Sequence, residues 1–150
     1  MKIVRSILEL DLSYLREAGI ECIAFDWDLS LAGPDSKLDS AGKIVLEAAT
    51  AVFDGEVAII SNKTKRPESG GLSLIKHWWP KPFCAGSVKN FFNKPAVKTL
   101  IVGDRLLTDA LLAWLGGFCC VYIRHKDTSL YPLIQKPIVW LEHAFLDIIE

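Results

Sequence analysis

Four runs in this chain, Ile20–Phe25 (interrupted only by Glu21), Val57–Ile60, Thr99–Val102 and Phe118–Ile123, are buried in pattern along their whole length and do not alternate. A strand with one wet face alternates apolar and polar residues at a period of two, so runs like these must be covered on both faces. The stretches between them are helical in pattern. Helices are expected over Asp11–Ala18, over Ser40–Val52 with an apolar face through Ile44, Ala48 and Ala51, over Gly71–Trp79 ended by Pro80, and over Ser87–Phe92 and Leu106–Leu115. A last helix runs from Pro137 to Ile149, and Phe83–Ala85 suits a very short strand. Helices alternating with doubly buried strands build a three-layer α/β domain, a Rossmann-like parallel sheet of about five strands spanning residues 1–150 as one unit.

Composition removes several function classes. Half the chain is hydrophobic (51%), with five Trp and seven Phe, which excludes a disordered segment. A net charge of −1 supplies no basic field to gather nucleic acid. The longest apolar stretch, Leu111–Ile123, is broken at Gly116–Gly117 and too short to cross a bilayer, so no transmembrane segment is expected. The first residues carry Glu9, Asp11 and Glu17 and make a poor signal or transit peptide. Cys22, Cys84, Cys119 and Cys120 form no C-x-x-C. Cys119 and Cys120, adjacent on a strand, point to opposite faces, so the four read as reduced core cysteines in a reducing compartment. His77, His125 and His143 are scattered at no ligand spacing and read as ordinary.

In open parallel sheets chemistry collects beyond the carboxyl ends of the strands. After Phe25 come Asp26, Trp27 and Asp28; after Ile60 come Ser61, Asn62 and Lys63; around the third short strand come Lys81 and Pro82; after Val102 come Gly103, Asp104 and Arg105, with Asp109 five positions beyond Asp104. Singly, each has a plain explanation as a turn, a helix cap or a surface lysine. Their order at successive strand ends carries the functional signal.

That ordered set, in FDWDLSL, IISNK, KP and IVGDRLLTD, resembles the haloacid dehalogenase (HAD) superfamily of phosphotransferases over Phe25 to about Asp109. Its compact spacing and VGDRLLTD resemble subfamily IIIA, in which mitochondrial phosphatidylglycerophosphatases and their bacterial relatives are the most similar group. Two positions depart from the pattern: Leu29 stands where these relatives usually carry Asn, and Ser30 where they carry Thr. Neither removes a group that phosphoryl chemistry needs.

The resemblance implies an HAD-like fold and a Mg²⁺-dependent phosphomonoester hydrolase. Asp26 would attack phosphorus, Asp28 would protonate the leaving alkoxide, and Ser61 and Lys81 would neutralise and position the phosphoryl group. Asp26, Asp104 and the backbone carbonyl of Asp28 would hold Mg²⁺, with Asp109 orienting the metal shell or Lys81. Neither gap between the motifs has room for a lid, and an open site suits a phosphate on a bulky carrier. Asn62, Lys63, Lys65 and Arg66 would meet the substrate's second phosphate, and Trp78–Trp79 could lie at the headgroup level of a bilayer.

The expected substrate is phosphatidylglycerophosphate, on the cardiolipin pathway, with a phospholipid at a membrane surface as partner. The expected location is peripheral, on the matrix side of the mitochondrial inner membrane if the source is eukaryotic, and cytoplasmic otherwise. Alternatives are a phosphatase for a phosphoprotein or a nucleic-acid 3′-phosphate, and a noncatalytic module on the same fold. A two-component receiver domain is disfavoured, because there the lysine comes last and the acidic pair precedes a lone phosphorylated Asp. The sequence leaves the oligomeric state open.

Overall fold

The computed structural model describes residues 1–35, 37–62, 71–76, 80–125 and 127–149. Six parallel strands, β1 (Lys2–Val4), β2 (Cys22–Phe25), β3 (Val57–Ile59), β4 (Ser73–Leu74), β5 (Thr99–Gly103) and β6 (Cys119–Ile123), form one sheet in the order β1-β6-β5-β2-β3-β4. The helices are α1 (Leu12–Glu17), α2 (Ser40–Val52), α3 (Ala85–Phe92), α4 (Leu111–Gly116) and α5 (Lys136–Ile149).

Alternate residues of the strands feed two cores, as the unbroken hydrophobicity requires. Ile23, Phe25, Val57, Ile59, Leu100 and Val102 pack on the α1 and α2 side with Leu12, Val45, Leu46 and Ala49. Cys22, Ala24, Ala58 and Ile101 face α3 and α4 and meet Val88, Phe92, Leu112 and Ala113. The small residues of β2 and β3 on this second face let those helices sit close. All four cysteines are free. Cys119 packs on the first core and Cys120 on the second, on opposite faces as expected.

The chain order explains where a site can form. From central β2 the chain moves outward through β3 and β4, then returns to the other side of β2 for β5 and β6. The strand order therefore reverses between β2 and β5, where the diverging connections leave a crevice at the carboxyl ends. Asp26 ends β2, its N–H donating to Val102 O at 2.7 Å, and Asp104 ends β5.

Four expectations need correction. The sheet has six strands rather than five, because Lys2–Val4 pairs with β6 and Ser73–Leu74 pairs with β3. The helix expected over Gly71–Trp79 is replaced, in its described part, by β4. There Leu72 and Leu74 pack on the first core and Ile75 on the second, and the open edge of β3 takes the backbone donors, Ile75 N–H bonding to Ile59 O at 2.8 Å. Phe83–Ala85 is no strand. Pro82 has no N–H for a ladder, and Lys81–Phe83 forms a 3₁₀ turn leading into α3. Finally, α2 has the expected span but turns a different face inward: Gly42, Val45, Leu46 and Ala49 are buried, while Ile44 is exposed.

The N-terminus of α2 fixes that rotation. Asp39 caps it, accepting from Gly42 N–H at 2.7 Å. Gly42 then lies against the loop that follows Asp28, so that a Cβ there would come 1.9 Å from Leu31 O. Helix propensity alone says Gly42→Ala gains about 1 kcal/mol. Backbone overlap of this kind costs about 1–3 kcal/mol, because the loop must shift. Gly42→Ala is therefore expected to lower the melting temperature by a few degrees in a thermal unfolding scan, whereas a rise would show that the loop gives way freely.

Candidate active site

Three segments with no sequence proximity meet at the crevice. Asp26 comes from the end of β2, Lys81 from the 3₁₀ turn before α3, and Asp109 from a wide π turn, Leu106–Ala110, that opens the helix expected over Leu106–Leu115. Such a turn holds one extra residue per loop of backbone and often marks a functional position. Here it folds Asp109 back over Gly103, where a Cβ would come 2.2 Å from Asp109 Cγ. Arg105 N–H donates to Asp109 Oδ2 at 3.1 Å and fixes its rotation.

The Lys81 ammonium, 1% exposed, forms ion pairs with Asp26 Oδ1 and Asp109 Oδ1. Burial alone would push this lysine down. Asp109 and Asp26 outweigh that and hold it above its ordinary value, so it is a fixed cation at any working pH. Burial pushes Asp26 up to about 6, against the pull of Lys81. Asp104 rises well above the usual carboxylate range, first through burial and then through repulsion by Asp26 and Asp109.

One oxygen from each of Asp26, Asp104 and Asp109 lies within 4.8 Å of the others, and all three residues are buried. Among the described residues a single ammonium, Lys81, stands against these three carboxylates, all of them largely withdrawn from solvent. The excess negative charge and the all-oxygen donor set fit a hard divalent cation.

The crevice is a cleft of about 400 Å³ lined by Asp26, Asp28, Ser61, Asn62, Lys81 and Asp104. Six of the residues singled out in the sequence are thus brought together, with Asp109 buried just behind Lys81. Lys63, Lys65 and Arg66 lie outside the described residues, as do His77, Trp78 and Trp79. Trp27, 1% exposed, turns into the first core and anchors the loop between its two flanking aspartates. Leu29, the departure from Asn, has φ of 59°. That left-handed conformation suits Asn and strains Leu, at a cost of about 1 kcal/mol or more.

Sequence reasoning missed one wall of the cleft. Leu130, Tyr131, Pro132 and Gln135, together with Arg105, line it from the side of the chain beyond β6. Tyr131, 2% exposed, sets its phenol beside the Asp104 carboxylate. His125, read as ordinary, places Nε2 2.5 Å from Leu29 O and ties this wall to the Asp28 loop. No motif in the sequence marked the residues beyond β6. Their only signal was position, directly after the last strand.

A family model described as mitochondrial PGP phosphatase matches residues 2–126. Phosphatidylglycerophosphate phosphatase 1, chloroplastic/mitochondrial, of Arabidopsis thaliana is 27% identical over 158 residues, an alignment covering 95% of this chain and 45% of that protein. The chain thus spans less than half the length of this curated relative. No solved structure matches it.

The raised carboxylates give a prediction that needs no assay of activity. Cation binding requires ionised ligands, so it must expel the protons that Asp26 and Asp104 hold. Titration calorimetry of Mg²⁺ binding in buffers of different ionisation enthalpy should show proton release at pH 6 and less at pH 8, with affinity rising as pH increases. Binding at pH 6 with no proton release would contradict this electrostatic account.

Proposed function

The chain belongs to the mitochondrial PGP phosphatase family of the HAD superfamily, and we propose that it hydrolyses phosphatidylglycerophosphate to phosphatidylglycerol through an aspartyl-phosphate on Asp26. The observation that carries this reading is the convergence of Asp26, Lys81, Asp104 and Asp109 at the reversal point of the sheet. These are the groups a phosphoryl transfer needs, and they stand in the family's order.

In this mechanism Lys81 holds Asp26 Oδ1, which fixes the rotation of the carboxylate that attacks phosphorus. The bond from phosphorus to the lipid glycerol oxygen breaks as the Asp26–phosphorus bond forms. Asp28, half-buried at the mouth of the cleft, gives its proton to the departing alkoxide. It then takes a proton from water, which attacks the aspartyl-phosphate, releases inorganic phosphate and restores Asp26. Ser61 and Lys81 supply donors to the phosphoryl oxygens. A divalent cation, Mg²⁺ by the hardness of its ligands, would be held by Asp26, Asp104 and the backbone carbonyl of Asp28, and would neutralise phosphoryl charge. Asp109 acts through Lys81 as a positioning residue.

Support for a lipid-borne phosphate comes from the family match and the relative's name. With 14 residues between β2 and α2 and 13 between β3 and β4, the chain is too short there to hold a lid domain, which supports a capless site that a membrane-borne headgroup can enter. No described helix is long and apolar enough to cross a membrane, which is compatible with peripheral action on a bilayer. We place the protein on the matrix side of the mitochondrial inner membrane if its source is eukaryotic.

Asp26→Asn is expected to lower turnover by about a thousandfold or more with the fold intact, because an amide keeps the shape but forms no acyl phosphate. Asp28→Asn should cost about 10²- to 10⁴-fold on an alkyl phosphate and less on nitrophenyl phosphate, whose leaving group needs little protonation. Chelation should stop the reaction, and Mg²⁺ but not Ca²⁺ should restore it. Phosphate release from phosphatidylglycerophosphate in mixed micelles should far exceed release from glycerol phosphate or a phosphopeptide. Equal or better rates on the phosphopeptide would overturn the lipid assignment and leave the phosphatase.

A further inference from the structure

Arg105 follows Asp104 directly and is the one cation besides Lys81 among the described residues lining the cleft. Its guanidinium is held from three directions. Nε donates to Glu142 Oε2 at 3.1 Å, Nη1 donates to Gln135 Oε1 at 2.9 Å, and the group lies over the Tyr131 ring, 5.9 Å from its centroid. Glu142, from α5, uses its other oxygen to accept Leu107 N–H at 3.1 Å. The described residues offer no partner to Nη2.

A strut tying α5 to the loop after β5 would explain the Glu142 pair. It would not explain why the arginine borders the cleft. The Glu142 side chain is 3% exposed and that of Arg105 is 16% exposed, so the positive end of the pair is what the cleft meets. Lys81 spends two of its three donors on Asp26 and Asp109 and has the third for the reacting phosphoryl group, which leaves Arg105, among the described residues lining the cleft, as the cation for a second anionic group. A guanidinium locked on two nitrogens loses little entropy when its third binds phosphate.

We infer that Arg105 is a specificity residue that binds the second, unreacting phosphate of the substrate, the phosphodiester joined through glycerol to the phosphomonoester at Asp26. The inference rests on the substrate class proposed above and names the group that reads it. Its supports, Tyr131, Gln135 and Glu142, all lie beyond the stretch matched by the family model.

Removing Arg105 alone strands a buried carboxylate, so the test uses Arg105→Gln together with Glu142→Gln, which keeps an acceptor for Leu107 N–H. Three substrates are compared with Mg²⁺ present: the lipid in mixed micelles, its deacylated headgroup glycerophosphoglycerol phosphate, and nitrophenyl phosphate. The ratio of kcat/KM for each phosphodiester-bearing substrate to that for the aryl phosphate should fall about 10- to 100-fold, the usual effect of losing a charge-assisted contact. Glycerophosphoglycerol, which carries the diester and no monoester, should inhibit aryl phosphate hydrolysis competitively, with Ki at least about tenfold higher in the double variant. Equal loss on all three substrates would make Arg105 a strut, and loss on micelles alone would move recognition to the acyl chains. Either result, or an unchanged Ki, overturns the subsite. Should the wild-type protein hydrolyse aryl phosphate but neither headgroup substrate, the lipid reading fails; inhibition by the diester that depends on Arg105 would still uphold the subsite.

Discussion

An ammonium sealed between two carboxylates is an expensive thing to build, and the arrangement of this molecule follows from it. Lys81 joins the end of β2, the turn before α3 and the π turn before α4, three segments that share no local interaction in sequence. Taking one cation and two anions out of water costs several kcal/mol per ion, of which their mutual attraction recovers only part. The cluster is therefore weak evidence for stability. Its value is electrostatic: a pre-oriented cation fixes the Asp26 carboxylate, while the surplus negative charge of Asp104 creates demand for a divalent ion. Lowering Asp109 onto Gly103 closes the arrangement from behind, which is why a side chain at position 103 has no room.

The sheet provides the rigidity this needs. Central β2 and β5 are buried along their full length, and the order reversal between them opens the cleft where Asp26 and Asp104 end their strands. The C-terminal segment completes the other side. Glu142 and Gln135 anchor Arg105, Tyr131 flanks Asp104, and His125 holds the carbonyl of Leu29. A backbone strained at Leu29 is thus steadied by a hydrogen bond from the far wall of the same cleft.

Much of this was legible in the sequence, for definite reasons. Continuous burial of Ile20–Phe25 and Thr99–Val102 dictates a sandwiched parallel sheet, and the polar residues after those runs must then lie at one edge. The edge strands β1 and β4 were not legible, being three and two residues long and defined by pairing more than by composition. The inward face of α2 was misread because Ile44, Ala48 and Ala51 form as plausible a stripe as Val45, Leu46 and Ala49. The choice is made by the Asp39 cap and the contact of Gly42 with Leu31, both tertiary. The wall built by Leu130, Tyr131 and Gln135 was illegible for a similar reason: a single Tyr or Gln acquires meaning only from the carboxylate or guanidinium it meets.

The covalent role of Asp26 is the claim on which the account turns, and it can be read by chemical trapping. An acyl phosphate is reduced by borohydride where a free carboxylate is not. Quenching the protein during turnover and reducing it should convert Asp26 to homoserine, found by mass spectrometry of the peptide that contains Asp26 and Asp28. The account predicts conversion at Asp26 that appears only with substrate and is lost in Asp26→Asn. Turnover at full rate with no reducible species at Asp26, or with conversion at Asp28 instead, would contradict it.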